Sequence, residues 1–155
     1  MVVVSDTSVI WYLFVTGNLE LLQKIYTEII IPERVKQELQ AAESTQLEQT
    51  LLSTQWIKVQ APSSLLLVKE YVGIIDDGEL NAFSLAIEIK AGLVLVDDND
   101  TRKIARKLNL TFTGLVGIAL EAEKLKLVPN AYDLLIAFRS KGFWICDTLL
   151  NKIKQ

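Results

Sequence analysis

Histidine is absent from the 155-residue sequence, and cysteine occurs once, at Cys146. Without imidazole, serine–histidine triads, histidine acid–base pairs and imidazole–zinc sites are excluded. A lone thiol excludes an internal disulfide and thiolate-rich zinc or iron–sulfur centres, and it fits a reducing compartment. Any metal must therefore be bound through oxygen, which selects hard ions such as Mg²⁺ or Mn²⁺. No apolar run reaches the roughly 18 residues of a membrane span. The start, MVVVSD, lacks the basic region of a signal peptide. The nucleotide-cofactor fingerprints G-x-G-x-x-G and G-x-x-x-x-G-K-[ST] are missing too. The formal net charge of −3 leaves no strong basic field for holding nucleic acid, although an acidic metal site would account for part of that excess. What is plentiful is apolar material, half of all residues. The expectation is one cytoplasmic domain over residues 1–155 with no membrane association.

Short aliphatic runs alternate with amphipathic stretches. Strand candidates are 2–4, 28–31, 56–59, 93–96 and 110–113; their Val/Ile/Leu content without polar alternation suits strands covered on both faces. Helical stripes are formed by Leu19, Leu22, Ile25 and Tyr26, and by Val35 and Leu39 followed by Leu47 and Leu51. Leu80, Phe83, Ala86 and Ile87 make a third, and Ile104, Ala105 and Leu108 a fourth. Pro32 suits a first helical position. Asp76-Asp77-Gly78 reads as a turn into a helix with Glu79 in its first turn. Asn99 or Asp100 can cap the helix carrying Arg102 and Arg106. Gly114 and Gly117 punctuate the entry to another helix, and the tail from Pro129 suits two more around Gly142-Phe143-Trp144. No repeat, low-complexity segment or linker interrupts the pattern. Such alternation argues an α/β fold, a three-layer α/β/α sandwich around a mainly parallel sheet.

In open α/β sheets, functional groups collect at the carboxyl ends of the strands. Asp6 stands two residues past Val4, and Asp97, Asp98 and Asp100 follow Val96. Glu79 opens one helix, and Glu38 lies about two turns into the helix begun near Pro32. Four segments can thus deliver carboxylates to one cleft, where mutual repulsion calls for cations between them. Two divalent ions would clamp a phosphodiester and activate water. Each acid has a plainer alternative. Asp6 can cap the helix starting near Ser8, Glu38 can lie on a solvated helix face, Glu79 can complement a helix dipole, and Asp97–Asp100 can be a polar turn.

The stretches VSDTSVI (4–10), IIIPERVKQEL (29–39), DDGELNAFSLAIE (76–88), LVLVDDNDTRKIARKLNL (93–110) and TGLVGIALEAEKLKLV (113–128) resemble the PIN-domain nucleases. They are most similar to the short bacterial and archaeal members grouped near VapC-like type II toxins. The resemblance covers nearly the whole chain. It implies an α/β/α fold with a parallel sheet and a metal-dependent nuclease that prefers single strands, usually RNA. Position by position it makes Asp6, Glu38, Glu79 and Asp97 the catalytic acids, and these with Asp98 the ligands of one or two Mg²⁺ or Mn²⁺ ions. Thr7 and Ser8 match the small polar residues beside the first acid, where Ser8 would touch substrate or a water. Arg102 matches a basic residue placed for a substrate phosphate. Two positions depart from the branch. Asn81 stands where a further acid often lies, and T-G-L-V-G replaces T-G-T-L-G, so that Leu115 removes a hydroxyl.

The reading that follows is an endoribonuclease cleaving single-stranded RNA by metal-activated water, with 5′-phosphate and 3′-hydroxyl products. It would be the toxin of a type II toxin–antitoxin pair, with a cognate antitoxin and a homodimeric state. Arg102, Lys103, Arg106 and Lys107 would grip substrate, or form a solvated helix face. Trp11, Leu13 and Phe14 would serve a dimer or the core. The alternative is a PIN-like module that binds RNA or a protein partner with its cleavage chemistry lost; Asn81 and Leu115 motivate it. Phosphoryl transfer through an aspartate is disfavoured because Ser8 replaces the second acid of D-x-D.

Overall fold

The computed structural model describes residues 1–42 and 44–154. All five aliphatic runs form strands in it: β1 (Val3–Ser5), β2 (Ile29–Ile31), β3 (Ile57–Val59), β4 (Leu93–Leu95) and β5 (Phe112–Thr113). They are parallel and ordered β3-β2-β1-β4-β5. Val4 pairs with Ile30 on one side and Val94 on the other. Parallel neighbours need crossovers, and helices supply them.

After β1 comes α1 (Thr7–Val15), then α2 (Glu20–Tyr26). Two helices, α3 (Glu33–Gln40) and α4 (Thr45–Ser53), follow β2. A 3-10 helix over Leu66–Tyr71 precedes α5 (Asp77–Glu88), and α6 (Asn99–Lys107) joins β4 to β5. The chain closes with α7 (Leu115–Lys124), α8 (Ala131–Ser140) and α9 (Asp147–Lys154).

The sheet has apolar layers on both faces, and the pleat divides them. Val3, Leu95, Ile29 and Ile31 meet Val9, Ile10 and Leu13 of α1 and Leu115, Ile118 and Ala119 of α7. Val4, Val94 and Val96 meet Leu80, Phe83 and Ala86 of α5 and Ile104 and Ala105 of α6. Burying side chains of this size contributes about 1.5–3 kcal/mol each, which explains why strands of two or three residues suffice.

Several local expectations shift by a residue or two. Pro32 is the N-cap of α3 rather than its first residue, with extended backbone at ψ 152°. The Val35/Leu39 and Leu47/Leu51 stripe belongs to two helices, α3 and α4. The cap of α6 is Asp98, one residue before Asn99, because its carboxylate accepts the Thr101 N–H at 3.0 Å. Leu13 is fully buried, and Trp11 and Phe14 pack half-buried on the same core. Among the described residues, no helix is long and apolar enough to cross a membrane.

Candidate active site

The order of strands sets the place of the site. From β1 the chain runs outward through β2 and β3, then returns to lay β4 on the other side of β1. At that reversal the loops after β1 and β4 diverge, opening a crevice at their carboxyl ends. Asp6 and Asp97 are the residues at those two exits, and the Asp6 N–H donates to the Leu95 carbonyl at 3.1 Å.

Asp6 is buried, with 3% of its surface exposed. It is the N-cap of α1: Oδ1 accepts the Val9 N–H at 3.2 Å, and the Ser8 hydroxyl lies 3.3 Å from Oδ2. Capping does not keep the carboxylate comfortable. Burial first, then the charges of Asp97 and Asp76, push its pKa up to about 8 against the opposing Val9 and Ser8 hydrogen bonds.

Asp97 is held from two sides. Its Oδ1 accepts the Leu115 N–H at 2.9 Å and lies 3.3 Å from Nη2 of Arg102. The guanidinium is itself fixed by Nε donating to the Val96 carbonyl at 3.2 Å. Gly114 makes this possible, since a Cβ there would overlap Arg102 Nη2 and Asp97 Oδ1. The other oxygen, Asp97 Oδ2, is buried without a hydrogen-bond partner. Burial pushes the Asp97 pKa up to about 6, despite the Leu115 N–H and Arg102.

The third wall comes from α5. Asp76 caps this helix, its Oδ1 accepting the Glu79 N–H at 2.9 Å. Glu79 turns inward and leaves Oε2 buried without a partner. Its pKa is pushed up to about 10, first by burial, then by a side-chain hydrogen bond with Asp76 and by the charges of Asp76, Asp6 and Asp98. Glu38 enters from α3, which packs against both α1 and α5. Its Oε2 accepts the Thr7 hydroxyl, and Oε1 is 3.8 Å from Arg34 Nε. Gly78 admits it, because a Cβ at that position would overlap the Glu38 carboxylate.

Asp6, Thr7, Ser8, Trp11, Tyr12, Glu38, Asp76 and Glu79 together line a cavity of about 320 Å³. A neighbouring groove of about 770 Å³ shares Ser8 and Tyr12 with it and is lined by Asp97, Asp98, Asp100, Arg102 and Lys103 among others. All seven site residues expected from the sequence thus lie in two adjoining hollows. Asp98 is exposed and occupied as the cap of α6. Arg102 is engaged with Asp97 and stacks near Phe112, 5.9 Å from the ring centre. Asn81 does not line the cavity; its amide donates to the Asp77 carbonyl at 2.8 Å. Leu115 is a core residue, and it serves the site through its backbone N–H. Asp76 is the acid that the spacing did not single out. Its D-D-G-E setting reads as a helix cap, which it also is.

The donor chemistry suits a divalent cation. Every ligand candidate is oxygen, and two carboxylate oxygens, Glu79 Oε2 and Asp97 Oδ2, are buried without partners. Cations beside these oxygens would satisfy them and lower the raised carboxyl pKa values. Among the described residues, no three Asp, Glu or Cys side chains gather at one point as a closed metal cage. Mg²⁺ does not require one, since it keeps several waters and binds through one or two carboxylates plus substrate phosphates.

A parallel α/β/α sandwich with acids at its switch point defines a class of open-sheet proteins whose sites lie at the carboxyl ends of the strands. The particular family follows from comparison with known proteins. The sequence model of a family described as a PIN domain matches residues 2–155, and the chain belongs to that family. PIN domains are generally nucleases, act on nucleic acid and typically use divalent metals. No match was found among the curated proteins.

Proposed function

We propose that this chain is a metal-dependent endoribonuclease that hydrolyses single-stranded RNA. The observation that carries the reading is the pair of orphaned, buried carboxylate oxygens: Glu79 Oε2, which lies with Asp6 in the cavity, and Asp97 Oδ2, in the groove that shares Ser8 and Tyr12 with it. Asp6, Glu79 and Asp97 would hold one or two Mg²⁺ or Mn²⁺ ions, with Glu38, Asp98 and Asp76 at their flanks. When bound, such an ion neutralises phosphate charge and acidifies water near neutral pH. The chain's own groups do the rest. Ser8 and Thr7 orient Asp6 and Glu38, Arg102 and the Leu115 N–H aim Asp97, and Lys103 stands at the groove edge for a backbone phosphate. Arg106 and Lys107 do not line either hollow.

The test is cleavage of labelled single-stranded RNA with Mg²⁺ or Mn²⁺ by the wild type and by Asp6→Asn. Metal-dependent cutting that Asp6→Asn removes supports the proposal; equal RNA binding with no cutting by either protein defeats it. The second outcome would favour the alternative, a PIN-like module that binds RNA or a protein partner. That alternative draws on the absence of a closed acid cage among the described residues.

The toxin role, a cognate antitoxin and a cytoplasmic location belong to this reading through the resemblance to type II toxins. Growth arrest on expression, relieved by a co-expressed partner, is the expected outcome. A homodimer is supported by Leu66, Leu67, Val72 and Ile74, which leave an exposed aliphatic patch beside the 3-10 helix. Sedimentation would reveal it.

A further inference from the structure

Trp144 is 77% exposed, the most exposed of the large aromatic side chains. Its neighbours along the chain are anchored. Phe143 packs edge-on against Tyr12 at 5.6 Å and Phe138 at 6.3 Å, and Ile145 is 5% exposed. The stretch is tied at its far end, where Arg139 Nη1 meets Asp147 Oδ1 at 2.7 Å and α9 packs on α8. The indole therefore stands on a fixed segment that directs it outward, into the groove that contains Asp97, Asp98, Arg102 and Lys103. Its lining combines apolar Val116, Phe143, Ile145 and Leu149 with the acids and the two cations. Its volume, about 770 Å³, lies in the usual range of small-molecule sites, roughly 300–1,000 Å³. Through Ser8 and Tyr12 it runs on into the acidic cavity.

An exposed indole matches how unpaired nucleobases are held, by stacking on aromatic faces, and the groove beside it holds Arg102 and Lys103, each paired with an aspartate of the same lining. We propose that Trp144 is a stacking platform for an unpaired nucleobase of a single-stranded substrate, placing the adjoining phosphodiester at Asp6 and Asp97. This rests on the nuclease reading above and adds to it the residue that grips the base. With the base on Trp144, one of its two flanking phosphates lies toward Lys103 and the acids that share the groove. Because stacking tolerates every base, the platform selects for unpaired strands rather than for a sequence.

Binding is measured in the Asp6→Asn background, so that the labelled single-stranded oligonucleotide stays intact, using RNA and DNA of one sequence and an RNA duplex. Adding Trp144→Ala weakens single-strand binding about 5- to 100-fold, the range expected for one stacked base. Trp144→Phe restores most of it, and the melting temperature stays unchanged because the side chain is exposed. A strand with abasic sites across the groove binds both proteins alike. Equal affinity of the Trp144→Ala and parent proteins for the intact strand overturns the proposal, while Mg²⁺-dependent cleavage lost in Asp6→Asn keeps the nuclease reading standing. Failure of the wild type to bind or cut either nucleic acid overturns both.

Discussion

Three carboxyl groups with raised pKa values lie near the carboxyl ends of β1 and β4, Asp6 feeling the charge of Asp97 and Glu79 that of Asp6, and each has a different burden. Asp6 closes α1, Asp97 is clamped by Arg102 and the Leu115 N–H, and Glu79 has no partner for Oε2. Asp6→Asn keeps the cap, since asparagine caps as well as aspartate, but removes a charge that a cation needs. Cleavage should fall by about 100-fold or more, consistent with losing several kcal/mol of transition-state stabilisation. Glu79→Gln should also abolish cleavage, yet raise the melting temperature of the metal-free protein near pH 8, because it removes a carboxyl that resists ionising there. Calorimetry in EDTA beside an activity assay checks both; a melting temperature that falls would contradict the unfavourable placement of Glu79. Gly114→Ala acts differently. The added methyl would displace Arg102 and Asp97 together, costing about 1–3 kcal/mol, so stability and cleavage should drop in the same variant.

Helix termini do double service here. The caps Asp6, Asp76 and Asp98 each spend one carboxylate oxygen on a backbone N–H of the first turn. The positive ends of α1, α5 and α6 therefore point toward the same crevice, which partly offsets the crowding of acids. Asp98 allows the two roles to be separated. Asp98→Ala should cost about 0.5–2 kcal/mol of stability through the lost cap, whereas Asp98→Ser should retain it. If Asp98→Ser also keeps full Mg²⁺-dependent cleavage in a thermal-shift and activity comparison, Asp98 is a cap and not a ligand. In α5 the same logic explains Asn81: its amide turns back to the Asp77 carbonyl, so the helix presents Glu79 alone of this pair to the cavity.

For the whole molecule, the raised carboxyl pKa values make metal-free stability depend on pH in a defined direction. A carboxyl whose folded pKa exceeds its unfolded value binds more protons when folded, so its contribution is present below the unfolded pKa and is lost as pH rises through the folded pKa. For Asp97 that window runs from 3.8 to about 6, and for Asp6 from 3.8 to about 8. The melting temperature in EDTA should therefore decrease from pH 5 to pH 8. Saturating Mg²⁺ at pH 8 should reverse the loss, since a ligand at a hundred times its Kd adds about 2.7 kcal/mol, or roughly 5–10 °C for a domain of this size. A metal-free protein that is more stable at pH 8 than at pH 5, with no response to Mg²⁺, would refute the acid-site arrangement.

Much of this was legible in the residues themselves. Five aliphatic runs marked the strands because parallel strands buried on both faces need no polar alternation. The missing histidine restricted any metal to oxygen, and Asp6 and Asp97 were locatable because both follow strands directly. Boundaries were less legible: competing caps within D-D-N-D differ by one residue, and only the observed Thr101 N–H contact selects Asp98. The rest depended on tertiary structure. Strand order places β4 beside β1 and so brings Asp6 to Asp97 across a sequence separation of 91 residues. Side-chain direction puts Glu79 in and Asn81 aside, and packing makes Asp76 a neighbour of Asp6 and turns Trp144 out while Phe143 and Ile145 turn in. Local sequence determines which backbone a segment adopts; which carboxylates share a desolvated crevice is decided by contacts between segments far apart in the chain.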